Sequence, residues 1–233
     1  MSNYLAIAAV TAALQDILQD AALAAVPGTD VTIRRPENIS SDGQEKAAVN
    51  LYLYQTTPDP SWTNADLPTR NGNGILVRRP QVVLNLDYLI SFHGSELVME
   101  PQRLLGSVIS ALHAYAILEM DTILGAINSR NYLTQDTIFD QVELVKLSPL
   151  NLSLEELSKL WSVFYQIPYT LSVIYRASPV FVEAQLPTST VKPVAEVKIG
   201  PVPGNHEPFH NRRTNRTVGA DLSASARKSH GRM

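Results

Sequence analysis

The 233-residue sequence contains no cysteine. That absence removes disulfides, zinc ribbons, thiolate nucleophiles, haem attachment and iron–sulfur ligation together. Charge is sparse as well: Asp, Glu, Lys and Arg make up 18% of the chain, and 19 basic against 22 acidic side chains leave a formal charge of -3. The chain as a whole then has no electrostatic pull toward nucleic acid or acidic lipid, so any basic feature must be local. No Lys or Arg precedes Arg34, so the charged start of a secretory signal is missing. The apolar opening over residues 4–14 is about half the length of a bilayer-spanning helix. These features point to a soluble protein made in the cytoplasm. Apolar residues, by contrast, reach 45%, enough for a packed core and incompatible with wholesale disorder. The length fits one domain plus an appendage.

Periodicity supplies the elements. Tyr4, Ile7, Val10, Leu14, Ile17 and Ala21 recur at three- and four-residue steps with Gln15, Asp16, Gln19 and Asp20 mostly between them, which predicts an amphipathic helix ended by Pro27-Gly28. Val31-Thr32-Ile33 and residues 48–54 read as strands joined by a polar loop through Ser41, Asp42 and Gly43. Residues 58–74 are rich in Pro, Asn and Gly and read as an exposed loop. Over residues 81–92, Val82, Leu84, Leu86, Tyr88, Ile90 and Phe92 share one face of a strand, while Gln81, Asn85, Asp87 and Ser91 mark a wetter one. Pro101 suits the first turn of a helix with Leu104, Leu105, Val108, Ile109 and Leu112 as its stripe, and residues 121–128 continue the helical layer. Residues 142–147 form another strand. Ser153 and Glu156 make a capping box for a helix over residues 154–161. Ile167, Tyr169, Leu171, Val173 and Tyr175 alternate as a last strand, its start at an edge or bulge because of Pro168.

Beyond Ser178, Pro179, Pro187, Pro193, Pro201, Pro203 and Pro208 come too fast for any helix. Residues 178–204 therefore read as an extended arm with short extended runs such as Val180-Phe181-Val182 and 194–199, able to add a strand to a neighbour's sheet edge. Removing residues 178–233 should leave a folded domain. Residues 205–233 carry six basic and two acidic side chains, a local excess of +4. No internal repeat or heptad run is present.

Catalytic and metal-binding constellations do not assemble. Of the five histidines, His206 and His210 have helical ligand spacing, but Pro208 between them prevents that helix. His93 ends a strand and His113 lies on a helix, where a hydrogen-bonded structural role is commoner than general-base work. No G-x-S-x-G nucleophile turn occurs, and Gly106-Ser107 falls inside a helix stripe. Asn71-Gly72-Asn73-Gly74 lacks the Lys-Ser/Thr and following helix of a phosphate cradle. Asp136 with Asp140 and Glu155 with Glu156 are carboxylate pairs, the latter pointing about 100 degrees apart on a helix. Arg34-Arg35 and Arg78-Arg79 flank strands and suit salt bridges or partner contacts. The basic tail has a single aromatic, Phe209, for stacking on bases. This reading assigns no catalytic, cofactor-binding or metal residue. A small hydrolase using His93 or His113 with a nearby carboxylate stays open, as does a nucleic-acid or membrane-surface adaptor acting through residues 212–232.

Ile7-Ala8-Ala9-Val10-Thr11-Ala12-Ala13-Leu14, Val49-Asn50-Leu51-Tyr52-Leu53-Tyr54, Leu84-Asn85-Leu86-Asp87-Tyr88-Leu89-Ile90, Leu154-Glu155-Glu156-Leu157-Ser158-Lys159-Leu160-Trp161 and Tyr169-Thr170-Leu171-Ser172-Val173-Ile174-Tyr175 together resemble, in order, the N-terminal domain of cap proteins from extracellular contractile injection systems. These phage-tail-like particles include the antifeeding prophage and the Photorhabdus virulence cassette. The likeness runs over residues 2–182 and rests on no catalytic motif. It implies a tail terminator that is not an enzyme: a homo-oligomeric ring, expected to be a hexamer, that closes the distal end of tube and sheath, contacts their terminal rings and stops polymerisation, with no nucleic-acid partner. The fold it implies is α+β, a mainly antiparallel sheet packed against helices, with residues 1–182 as the cap domain and residues 183–233 as an extended proline-rich arm and basic tail. Residues 187–233 match nothing in the family pattern.

Overall fold

An alanine-rich opening folds as the predicted helix, α1 (Ala6–Ala25). Alanine loses no side-chain entropy in a helix, and Ala6, Ala9, Ala13 and Ala22 are fully buried, so neighbouring elements approach the helix closely. Gly28, at φ 82°, then takes the left-handed conformation that glycine adopts at no steric cost. At 20 residues, α1 is long and apolar enough to cross a membrane, about twice the apolar opening read from the sequence. In the fold it is a core helix: Val10, Leu14, Ile17 and Leu18 are buried. The structure, a computed structural model, describes residues 3–36, 46–62, 80–134, 143–165 and 167–184, which fall within one compact unit, Met1–Pro193.

The other elements, in chain order, are β1 (Asp30–Thr32), β2 (Ala48–Pro58), β3 (Gln81–His93), α2 (Glu100–Ala114), β4 (Ile117–Leu118), α3 (Met120–Asn128), the single turn α4 (Asn131–Thr134), β5 (Val145–Pro149), α5 (Leu154–Ser162) and β6 (Ser172–Glu183). Among the described residues the strands form one sheet in the order β1-β2-β3-β6-β5-β4. Only β1 and β2 run parallel; the remaining neighbours are antiparallel. This is the α+β architecture the sequence predicts.

Helices α1, α2 and α3 cover one face of the sheet, and the main core lies between them. Tyr88, Ile90 and Phe92 of β3 meet Leu14 and Leu18 of α1, Leu104 and Val108 of α2, and Ile123 of α3 there. Tyr88 is fully buried, and its hydroxyl bonds Thr11 Oγ1 at 2.8 Å, while Thr11 Oγ1 donates to Ile7 O at 2.8 Å. Burial pushes the Tyr88 phenol well above its ordinary pKa, because the phenolate would have to be held in a low-dielectric site.

The opposite face of the sheet departs from expectation. Gln81, Asn85, Asp87 and Ser91, predicted to be wet, are all buried. Trp161 of helix α5 and Phe164 just after it lie over Leu89 and Ile174, making a second, smaller core, and a 3-10 turn at Pro60–Trp62 brings Trp62 edge-on to Phe181 with ring centroids 5.1 Å apart. Asn85 and Asp87 are met by polar side chains of β6. Arg176 makes a two-pronged pair with Asp87 at 2.7 and 2.9 Å, and Ser178 Oγ contacts Asp59 and Asn85. The predicted capping box at Ser153 and Glu156 forms in full.

Strand β6 corrects a second expectation. The chain from Ser178 to Glu183 is not free arm: it continues the central strand, with Glu183 opposite Gln81 and Phe181 opposite Val83. Between Leu84 and Leu86 of β3 the partner strand advances from Val180 to Ala177, a bulge that holds Ser178-Pro179 where a residue without an N–H costs no ladder bond. Removal from residue 178 onward would therefore strip half of a central strand. At its other end β6 begins at Ser172, later than the alternation from Ile167 suggests. The loop through Ser41–Gly43, Val142, and most of the 58–74 loop lie outside the described residues; β2 itself runs on to Pro58.

Candidate assembly surfaces

His113 apart, the described side chains singled out for chemistry are held by structural partners. His93 ends β3 half-buried, with Nε2 3.3 Å from Ser91 Oγ, and burial lowers its pKa by disfavouring the imidazolium. His113 sits exposed in the last turn of α2. Ser107 Oγ donates to Ala21 O at 2.7 Å, tying α2 to α1. Glu155 pairs with Lys159 one turn on, and Glu156 accepts from the Ser153 backbone and hydroxyl, bonds that lower its pKa. Arg35 lies over the Phe164 ring at 5.7 Å and donates to Val163 O. Among the described residues no three His, Asp or Glu side chains converge on a metal-sized site. Arg78, Arg79, Asp136, Asp140, His206, His210, His230, Asn71–Gly74 and the 205–233 tail lie outside the described residues.

What the fold does present is a sheet with two unlike edges. At β1, the backbone of Val31 points away from β2, because its N–H donates to Gln19 Oε1 at 2.9 Å and its C=O accepts from Gln15 Nε2 at 2.9 Å. Gln19 Nε2 also donates to Thr29 O. Two carboxamides one helical turn apart on α1 thus stand where another strand would bond, and they use both the donor and the acceptor that an incoming strand needs. Gln15 is itself fixed by Arg130, which donates to its Oε1 at 2.9 Å and to both Asp16 oxygens at 2.9 and 2.7 Å. The bonds and charge of Asp16 raise the Arg130 guanidinium above its already high pKa.

The β4 edge is different. Leu147 N–H donates to Ala116 O, and Ile117 and Leu118 stand opposite Lys146 and Val145. In an antiparallel ladder, bonded and non-bonded pairs alternate, so Ile117 is the residue whose N–H and C=O both point outward. Among the described residues nothing bonds them, and the Ile117 side chain is exposed while Leu118 is buried. A second exposed feature is the turn Glu96–Val98 before α2, where Leu97 is 96% exposed and Met99 takes φ 51°.

The glutamines were legible only as the polar side of an amphipathic helix. Two glutamines four residues apart, shortly before a three-residue strand, are the sole sequence signal of the seal.

The sequence profile of the Pvc16 N-terminal domain family matches residues 9–196. Among solved structures, the chain is similar to the PVC sheath/tube terminator of an extracellular contractile injection system in the extended state, at 18% identity and a TM-score of 0.47, covering 84% of this chain and 64% of that one. It is also similar to the anti-feeding prophage cap, a tube-terminating cap, at 19% identity and a TM-score of 0.50, covering 79% of this chain and 59% of that one. The chain thus spans less than two thirds of the length of either structure. Comparison with curated protein sequences gives no match.

Proposed function

Because the chain belongs to the Pvc16 N-terminal domain family, we propose that it is a structural cap of a contractile injection system, a non-enzymatic ring that closes the distal end of tube and sheath and ends their polymerisation. The family match over residues 9–196 carries this reading, and the anti-feeding prophage cap shares its fold. A terminator must hold the last ring of a polymer without offering a copy of that ring's growing surface, so its two sides must differ. Among the described residues the sheet is sealed at β1 and leaves the Ile117 backbone at β4 unbonded, so its two edges differ. Lateral contact in a closed ring is heterologous, one patch meeting a different one, and six copies is the ring number we assign. Residues 1–182 form the cap domain and residues 183–233 an arm and basic tail that dock on neighbouring subunits or on the last sheath ring. Synthesis and assembly take place in the cytoplasm.

Co-sedimentation of the purified full chain with sheath–tube particles prepared without their cap tests the assignment. Saturable binding at about one ring per particle end is expected. A chain that stays monomeric at high concentration and remains in the supernatant contradicts it.

A further inference from the structure

The unlike edges of the sheet specify how such a ring would be held together. We infer that the open edge at Ile117 takes one extended strand, supplied by residues 194–199 of an adjacent copy of this chain. The inference rests on the ring reading above and adds the contact itself.

An outward N–H and C=O on the same residue are a donor and acceptor spaced for a β-strand, so extended peptide backbone is the chemistry that fits them. Residues 194–199 alternate, with Ala195, Val197 and Ile199 on one side and Val194, Glu196 and Lys198 on the other. Pro193 precedes the run and Gly200-Pro201 follows it, so the strand is confined to about six residues. A short donor matches a short edge.

Geometry favours a neighbour over the same chain. β6 ends with Ala184 N–H donating to Pro80 O. That exit lies six residues beyond Ser178, the β6 residue opposite Lys146 and, through it, Ile117, so it is about 20 Å further along the strand direction. To reach its own β4, the chain would have to turn back within residues 185–193, a stretch that includes Pro187 and Pro193. The β1 edge cannot substitute, because Gln15 and Gln19 already occupy it. Each chain then carries one donor and one acceptor at separate places, the head-to-tail arrangement that closes as a ring.

The cysteine-free sequence makes the test direct. Full-length chains carrying Ile117→Cys are mixed in turn with chains carrying a single cysteine at each of the six positions 194–199, which covers every register of the run, and oxidised. The expected result is a disulfide-linked dimer of unlike chains concentrated at one of the six positions, and a ladder of multimers when that cysteine and Ile117→Cys sit on one chain. The absence of mixed dimers at all six, or a bond formed only within a single chain, overturns the inference. In parallel, Ile117→Pro removes only an outward N–H and leaves the β4–β5 bonds intact, so a folded monomer by analytical ultracentrifugation is expected. Rings of Ile117→Pro that persist overturn the strand contact while leaving the cap reading standing. A wild-type chain that never forms rings overturns both.

Discussion

Replacing Arg130 with alanine should both loosen the fold and unseal the β1 edge. The guanidinium joins Asp16, Gln15, Ser129 and the Ala126 carbonyl, and its side chain is only 14% exposed, against 46% for Asp16. Asp16 can regain water when its partner goes, so the ion pair itself is discounted to about 1 kcal/mol. Loss of the bonds to Gln15 and Ala126, which water replaces less completely, adds roughly 1–2 kcal/mol. The sum, about 2–3 kcal/mol, corresponds to a fall in melting temperature of roughly 4–12 °C for a domain of this size. Thermal unfolding by circular dichroism measures that loss. The second consequence is local: Gln15 loses the bond that orients it, so the hydrogen-exchange protection of the amides around Val31 should drop by more than global destabilisation accounts for. A change below about 0.5 kcal/mol, the range of an ordinary surface substitution, would refute the claim that Arg130 anchors the seal. So would unchanged exchange at β1 once the global loss is subtracted.

Three further outcomes follow from the packing. Truncation after Ala184 should leave a soluble, cooperatively folding domain. Truncation after Ala177 removes Val180 and Phe181, both buried, and with them about 3–6 kcal/mol of hydrophobic stabilisation, a large share of a typical domain's total; proteolysis of the two truncated proteins should separate them clearly. Because burial places the native His93 pKa below the ordinary 6.5, the unfolded chain binds its proton first as pH falls. Stability from this group is therefore complete above about pH 6.5 and declines as pH falls from there toward the lowered native value; His93→Gln should flatten that part of the urea-midpoint profile. Trp161→Ala should cost about 3–5 kcal/mol, since Trp161 anchors α5 on Leu89 and Ile174, and a loss below about 1 kcal/mol by urea denaturation would show that the second core is dispensable.

Local signals carried most of the architecture. The alanine-rich periodicity of α1, the alternation of β3 and the Ser153–Glu156 box each encode their element within a few residues, and each element formed. What escaped depends on tertiary partners. Asn85 and Asp87 read as solvated because polar side chains ordinarily are, yet Ser178 and Arg176 come from a strand about ninety residues away to satisfy them. Val180-Phe181-Val182 reads as a short extended run within a proline-spaced arm, but a bulge at Ser178-Pro179 lets it continue the central strand. The unlike edges were the least legible, because Gln15 and Gln19 carry no signature until α1 is laid beside β1.

The central claim is that this chain ends a polymer, and the length distribution of particles assembled with and without it tests that claim most directly. Electron microscopy of particles purified from cells carrying or lacking the intact chain should show a narrow length distribution with a closed distal end in the first case, and broad, open-ended tubes in the second. Particles of uniform length and closed ends made in its absence would contradict the account.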